Sequence, residues 1–295
     1  MRKEITIIVP LGENSDSSVL EGLKSLKHKA HIIVEKGPNP SENRNRGIKK
    51  AKTPLVAFLN GHAIVKEDWI EKVLYFMKNF KEVDIVGGPQ HNSPSESIFG
   101  RASGYAMSSP FGSGGVWRRY AGNKVNLDAD ELMLTSSNLI CRKKVFNKVK
   151  FDTNLYPGED PKFISDSKKA GFKVAYSPEI IVYNKRRQSF SSLSKQVFNY
   201  ALSRTKFEKF KDTLKKPLFF VPSAFILYLL SLILFNHQLY LIPLYAYIAL
   251  SILSSLYLPL KNKDLLAIPF MPLVFLTIQL SYGYGIIHGL VGKLK

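Results

Sequence analysis

Through the first two thirds of the chain, apolar residues come in short runs separated by amphipathic segments. Ile5 to Pro10 is a β-rich apolar run, closed by Pro10 and the turn-forming Gly12-Glu13-Asn14. From Ser17 to Lys27, Val19, Leu20, Leu23 and Leu26 fall on one helical face. A second short strand is expected at His31 to Glu35. The loop Gly37-Pro38-Asn39-Pro40-Ser41 then opens a basic helix with Arg44, Arg46, Lys49 and Lys50. The uninterrupted run Leu55 to Leu59 stops at Asn60-Gly61-His62 and reads as a buried central strand of a parallel sheet. A helix at Asp68 to Asn79 and a strand at Val83 to Val86, ending in Gly87-Gly88-Pro89, continue the alternation. Strands and helices at this spacing imply βαβ units, and the first ~90 residues read as a nucleotide-binding half.

Between Gly88 and Asp130 the pattern loosens into Gly, Ser, Pro and aromatics, including Phe111-Gly112-Ser113-Gly114-Gly115, which predicts a long lid or binding loop. Leu132 to Cys141 resumes as a strand and Arg142 to Lys148 as a short helix. Glu159-Asp160-Pro161 opens another helix with acids at its positive end, closed by Gly171. Strands at Lys173 to Tyr176 and Ile180 to Tyr183 follow. Leu193, Val197, Tyr200, Ala201, Phe207, Phe210 and Leu214 then recur at helical spacing, which predicts an interfacial helix on lipid headgroups.

Three apolar stretches close the chain: Leu218 to Phe235, Leu239 to Leu260, and Leu265 to about Leu290. Each is about as long as the ~20 residues a helix needs to cross a bilayer, and none holds Asp, Glu, Lys or Arg in its interior. Pro269, Pro272, Gly283 and Gly285 would suit a broken or re-entrant third helix. The lysines from 206 to 216 precede the first stretch and Lys261 and Lys263 follow the second, so the first turn is expected to face away from the cytoplasm. The expected organisation is a domain at 1–190, an amphipathic interfacial helix at 191–216 and a transmembrane region of two or three helices at 217–295. Met1-Arg2-Lys3 leads straight into the first strand without a signal peptide. A multi-pass protein of the cell membrane, its first domain on the cytoplasmic face, follows.

Charge changes this picture little. The formal charge of +19 calls for an anionic partner, but much of the excess Lys and Arg flanks the apolar stretches, which argues against nucleic acid. The single Cys141 excludes an intramolecular disulfide, and its apolar setting suggests a core thiol.

The candidate chemistry lies where strands end, because ligands of open α/β sheets bind beyond the carboxyl ends of the strands. Asn60 and His62 occupy such an end and are placed to meet a ligand or metal. The order of the pieces narrows the class: ITIIVP, HIIVE, Arg44-Asn45-Arg46-Gly47, VAFLNGHAIV, then GEDPKFISDSKKAGFKVAYSPEIIVYNKRRQSF. Over roughly residues 4 to 204 this order resembles the family 2 inverting glycosyltransferases with a GT-A fold. His62 and the FGSGG and Arg-Gln-Ser segments look most like the succinoglycan-biosynthesis-type membrane-bound members.

The resemblance implies roles residue by residue. Pro10, Glu13 and Glu35 would cradle the base and ribose of a nucleoside-diphosphate sugar, carboxylates being able to accept bonds from hydroxyls. Arg44 would lie near the donor phosphates, while Arg46, Lys49 and Lys50 read as a solvated face. Asn60-Gly61-His62 stands where relatives carry Asp-x-Asp or Asp-x-His, and a divalent cation, Mg or Mn, would there neutralise the leaving diphosphate. Asn60 is a poorer ligand than Asp for such a cation, so Asn60 is grouped with donor contacts and His62 with the metal. Asp128-Ala129-Asp130 spells a rival Asp-x-Asp but falls where the family keeps acceptor contacts. Gly114, Asp130, Arg186, Arg187 and Gln188 are the expected acceptor and diphosphate loop residues, with Phe190 standing in for a missing Trp and Gln196 and Tyr200 as further candidates.

Glu159-Asp160 matches the family's Glu-Asp pair, in which the Asp is the general base of a single displacement and no nucleophilic residue is needed. The implied protein is a membrane-bound inverting transferase with a lipid-linked, polyprenyl acceptor. A polyprenyl-phosphate glycosyl synthase and a non-catalytic membrane-anchored relative are the alternatives.

Overall fold

The computed structural model describes residues 3–15, 18–24, 30–207, 216–235 and 237–294. Leu26, Phe210, Leu214 and the lysines between 208 and 215 therefore lie outside the described residues. The chain divides into two compact units, residues 1–94 with 118–185 and residues 95–117 with 186–295. Segment 95–117 thus groups with the C-terminal part of the sequence.

The first unit holds nine strands among the described residues: β1 (Ile5–Leu11), β2 (His31–Lys36), β3 (Leu55–Leu59), β4 (Ile64–Val65), β5 (Ile85–Gly87), β6 (Gln90–Asn92), β7 (Asn138–Arg142), β8 (Val174–Tyr176) and β9 (Val182–Asn184). Six of them form a sheet in the order β2-β1-β3-β7-β5-β8, and β4-β9-β6 form a smaller one. Alternation along the strands divides the core between the two faces of the large sheet. Ile5, Ile7 and Val9 join Leu55, Ala57 and Leu59 against Trp69, Val73 and Phe76 of helix Trp69–Asn79. Ile8, Val56 and Phe58 face the other way, onto Phe146, Phe151 and Phe163. Cys141 sits fully buried in β7.

The parallel sheet expected from the sequence is in fact mixed. β2, β1 and β3 run parallel, but β7 is antiparallel to both β3 and β5. An apolar run carries no direction, so its pattern could place this strand in the core but not orient it. The strand is also shorter than expected, because Asp130 starts a turn, its Oδ1 accepting from the Leu132 amide.

The expected loop from 88 to 130 is largely helical. Ser97 caps helix Ile98–Met107, and Ser109 caps the short helix Pro110–Ser113. The buried face of the first is Gly100, Ala102, Ser103, Gly104, Ala106 and, at its end, Met107, so it packs mostly through small residues and leaves no stripe of large apolar ones to read.

In the second unit, helices Gln238–Lys261 and Leu265–Gly292, counting their 3-10 starts, are long and apolar enough to cross a membrane. The first apolar stretch gives only Val221–Ser231, 11 residues, or ~16 Å against a hydrocarbon core of ~30 Å. Helix Ile242–Lys261 is inverted in polarity. Ser251, Ser255 and Pro259 are its buried residues, whereas Ile248, Leu250, Ile252, Leu253 and Tyr257 are exposed.

The third stretch is not broken. Met271–Leu294 is a single helix of 24 residues, and Gly283, Gly285 and Gly289 mark close packing. A Cβ on Gly285 would stand 2.7 Å from the Ala201 Cβ, one on Gly289 2.2 Å from the Thr205 hydroxyl, and one on Gly283 2.4 Å from the Pro222 carbonyl oxygen. Helix Phe190–Phe207 therefore lays its stripe of Leu193, Val197 and Ala201 in the protein interior. That stripe was expected to face headgroups. It is consumed by the partner helix, which the sequence pattern of one helix does not reveal.

Candidate active site

The carboxyl ends of β1 and β2 put two expected donor residues side by side, since Pro10 and Glu35 are register partners. Glu35 is buried at 5% exposure, and its carboxylate is held by two cations. Arg46 Nε lies 3.2 Å from Oε2 and Lys50 Nζ 2.6 Å from Oε1. Arg46 and Lys50, read from the sequence as a solvated face, thus neutralise a buried acid, as burial of a carboxylate requires. Glu13 is exposed in the turn after β1.

Arg44 is not at the surface. Its side chain is 5% exposed, with Nη1 2.9 Å from Glu159 Oε1 and 3.8 Å from Asp160 Oδ1. The guanidinium also lies over the Phe151 ring, 5.1 Å from its centroid. Glu159 Oε2 accepts from the amide of Gly158, the left-handed residue (φ +119°) ahead of helix Glu159–Lys169. Burial, then repulsion from Asp160, pushes the Glu159 carboxyl up to about 7, against the opposing attraction of Arg44. Asp160 Oδ1 is buried and has no hydrogen-bond partner. A carboxylate oxygen in that state has a free site for a hydrogen bond from a hydroxyl.

Asn60 follows β3, and its amide donates to the Ser137 hydroxyl at 2.6 Å, just before β7. His62 is exposed in the adjoining turn. Among the described residues no three His, Cys, Asp or Glu side chains cluster as a metal site. Asn60 and His62 supply one neutral amide and one imidazole, whereas a hard divalent cation at a diphosphate is held through carboxylate oxygens. These residues by themselves do not fit the expected cation.

Both acids of the rival Asp-x-Asp have local partners. Asp128 is paired with Lys168 at 2.6 Å, which holds its carboxyl below the usual range, and Asp130 caps its own turn. Ala129 between them is fully buried.

In the second unit, Gly114 has φ +54° and ψ −135°, a conformation reserved for glycine. Gln188 donates from Nε2 to Glu96 Oε2 at 2.7 Å and accepts a bond from the Ser97 hydroxyl. The Arg186 amide donates to the other Glu96 oxygen, and Arg187 is exposed. Glu96 itself is buried. Sequence reasoning missed Ser137, Phe151 and Glu96. None stands in a motif, and Glu96 lies 92 positions from Gln188.

This architecture is the mixed α/β core of the GT-A glycosyltransferases, joined to two long apolar C-terminal helices. Over 99% of this chain and 88% of the other, the structure is similar to the mannosyltransferase PcManGT from Pyrobaculum calidifontis, solved with GDP-Man and Mn2+, at a TM-score of 0.62 and 11% identity. Residues 4–150 match the sequence model of the family described as Glycosyl transferase family 2. Over 250 residues, 84% of this chain and 74% of the other, the sequence is 23% identical to dolichyl N-acetyl-alpha-D-glucosaminyl phosphate 3-beta-D-2,3-diacetamido-2,3-dideoxy-beta-D-glucuronosyltransferase of Methanococcus voltae. The chain also spans 42% of the S. aureus TarS structure, with 69% of its own length covered, at 11% identity and a TM-score of 0.47.

Proposed function

We propose that this chain is a membrane-bound inverting glycosyltransferase that moves a sugar from a nucleoside-diphosphate sugar to a lipid-linked, polyprenyl-type acceptor. The family 2 match supports the donor class, and the Methanococcus relative, named for a dolichyl-phosphate-linked substrate, supports the acceptor class. The two long helices with exposed apolar side chains support residence in the membrane, where such an acceptor's phosphate lies. Placement of the first domain on the cytoplasmic face belongs to the same reading.

The observation that carries the mechanism is the buried Asp160 oxygen at a helix start, 3.8 Å from Arg44 Nη1 and without a hydrogen bond. The Asp160 carboxylate takes the proton of an acceptor hydroxyl as its oxygen forms the new bond to the anomeric carbon. The bond to the diphosphate breaks on the opposite face, and the nucleoside diphosphate departs with the electron pair. One displacement inverts the anomeric centre and needs no covalent intermediate. Pro10, Glu13 and Glu35 are assigned to the nucleoside and Asn60 to the donor. Gly114, Arg186 and Arg187 are assigned to the diphosphate and acceptor, with Gln188 anchoring their loop through Glu96.

The test is nucleoside-diphosphate release by membranes containing the full chain. It uses a panel of UDP- and GDP-sugars, with extracted lipid-linked sugars or polyprenyl phosphate added. Release that requires lipid-linked sugar and is abolished by Asp160→Asn is the expected result. Undiminished transfer by a correctly inserted Asp160→Asn protein would falsify the base assignment. Release with bare polyprenyl phosphate would make the enzyme a synthase of the lipid-phosphate sugar.

A further inference from the structure

We infer that Arg44 is a positioning residue for Asp160, acting through Glu159, and not a ligand of the donor phosphates. The inference rests on the reading of Asp160 as the base. A phosphate ligand has to present its cation to the bound anion. Arg44 instead has a side chain only 5% exposed, with its guanidinium over Phe151 and Nη1 2.9 Å from Glu159. The more exposed cations of the same helix, Arg46 and Lys50, are engaged on Glu35.

What surrounds Arg44 is built to hold a geometry. Asn45 makes a reciprocal pair with Phe151: its Nδ2 donates to the Phe151 carbonyl at 2.8 Å, and its Oδ1 accepts from the Phe151 amide at 3.1 Å. Asn39 Nδ2 donates to the Thr153 carbonyl at 2.7 Å. Helix Pro40–Lys50 therefore fixes segment 151–153, which leads toward helix Glu159–Lys169.

The second helix begins at Gly158 without a side-chain cap. Glu159 supplies the missing acceptor to the Gly158 amide with one oxygen and takes Arg44 with the other. Both rotational freedoms of its carboxylate are thus spent, and the first turn is pinned at the residue before Asp160. One guanidinium facing two carboxylates leaves the cluster net negative. Asp160 Oδ1 stands 3.8 Å from the same guanidinium nitrogen and makes no hydrogen bond. Arg44 fixes where that oxygen stands while Glu159 absorbs the direct contact, and misplacing a catalytic group by about 1 Å can cost roughly a hundredfold in rate.

The experiment compares wild type, Arg44→Lys, Arg44→Met, Glu159→Gln and the double variant Arg44→Met/Glu159→Gln. Each is the full chain in detergent or nanodiscs, with thermal unfolding confirming the fold. Affinity for UDP and GDP is measured by calorimetry, and turnover with whichever UDP- or GDP-sugar supports release.

The expected result for Arg44→Met is a kcat lowered roughly 10- to 100-fold. Nucleotide affinity and donor KM stay within about twofold of wild type. Glu159→Gln should show the same split, and the double variant should lose little more than either single one, as residues acting as a unit do. Arg44→Lys keeps the charge without the planar fork, so it should recover only part of kcat, and it carries the comparison if the methionine variant fails to fold.

Nucleotide binding or donor KM weakened about tenfold or more, with kcat held, would overturn the inference and make Arg44 a phosphate ligand. So would additive losses in the double variant. Wild-type turnover by Asp160→Asn would instead remove the base on which the inference stands, so the two failures are separable.

Discussion

The side-chain amide of Asn60 donates to the hydroxyl of Ser137 at 2.6 Å, joining the end of β3 to the residue before β7. A carboxylate at position 60 could not donate this bond, and the hydroxyl would have to reverse its role. The residue suits a hydrogen-bonded strand end better than a cation site. Asn60→Asp should therefore make sugar transfer more responsive to added Mn2+ and more sensitive to chelator than the wild type, because the variant gains a hard anionic ligand. Equal loss of nucleoside-diphosphate release on chelation in the two proteins would count against this account of Asn60.

Glu159 should leave a mark on stability as a function of pH. Its carboxyl titrates near 7 in the fold, raised from an ordinary 4.5 by burial and by Asp160, with Arg44 facing it from helix Pro40–Lys50. A raised carboxyl binds its proton more tightly in the folded state. Its contribution is therefore fully present below about 4.5 and lost as pH rises through about 7. Relative to Glu159→Gln, the wild type should lose up to about 3 kcal/mol across that window. Parallel unfolding curves for the two full-length proteins in detergent at each pH, or a difference of the opposite sign, would show that Arg44 outweighs burial.

The glycines of helix Met271–Leu294 make a paired prediction. Gly285→Ala must push its new methyl against Ala201 and the Phe198 carbonyl, each 2.7 Å away, and should lower stability by about 1–3 kcal/mol. Gly292 has nothing within 4 Å, so Gly292→Ala should be neutral or gain up to about 1 kcal/mol from helix propensity. Thermal unfolding in one detergent ranks the three proteins, and equal midpoints would refute the packing argument.

Much of the strand framework could be read from the sequence because burial on both faces writes itself as unbroken apolar runs, as at Leu55–Leu59. The helix start at Glu159-Asp160 was legible for a local reason too, acids favouring the positive end. What escaped depended on distant partners or on small residues. Arg44 meets Glu159 across 115 positions, so its burial has no local signature. Helix Ile98–Met107 buries mostly glycine, alanine and serine, with Met107 alone among large residues, and these look like loop composition until another surface is pressed against them. Arg46 and Lys50 are solvated as their pattern suggests, but their pairing with the buried Glu35 of β2 has no local signature.

Helix Ile242–Lys261 keeps Ser251 and Ser255 inside and Ile248, Leu250, Ile252, Leu253 and Tyr257 outside. Such a surface calls for an apolar complement, hydrocarbon or another protein face. In plain buffer, copies of the chain would cover it with one another, so an elution profile recorded without lipid or detergent would measure clumping and say nothing about quaternary structure. The choice of amphiphile during purification becomes part of the protein's chemistry.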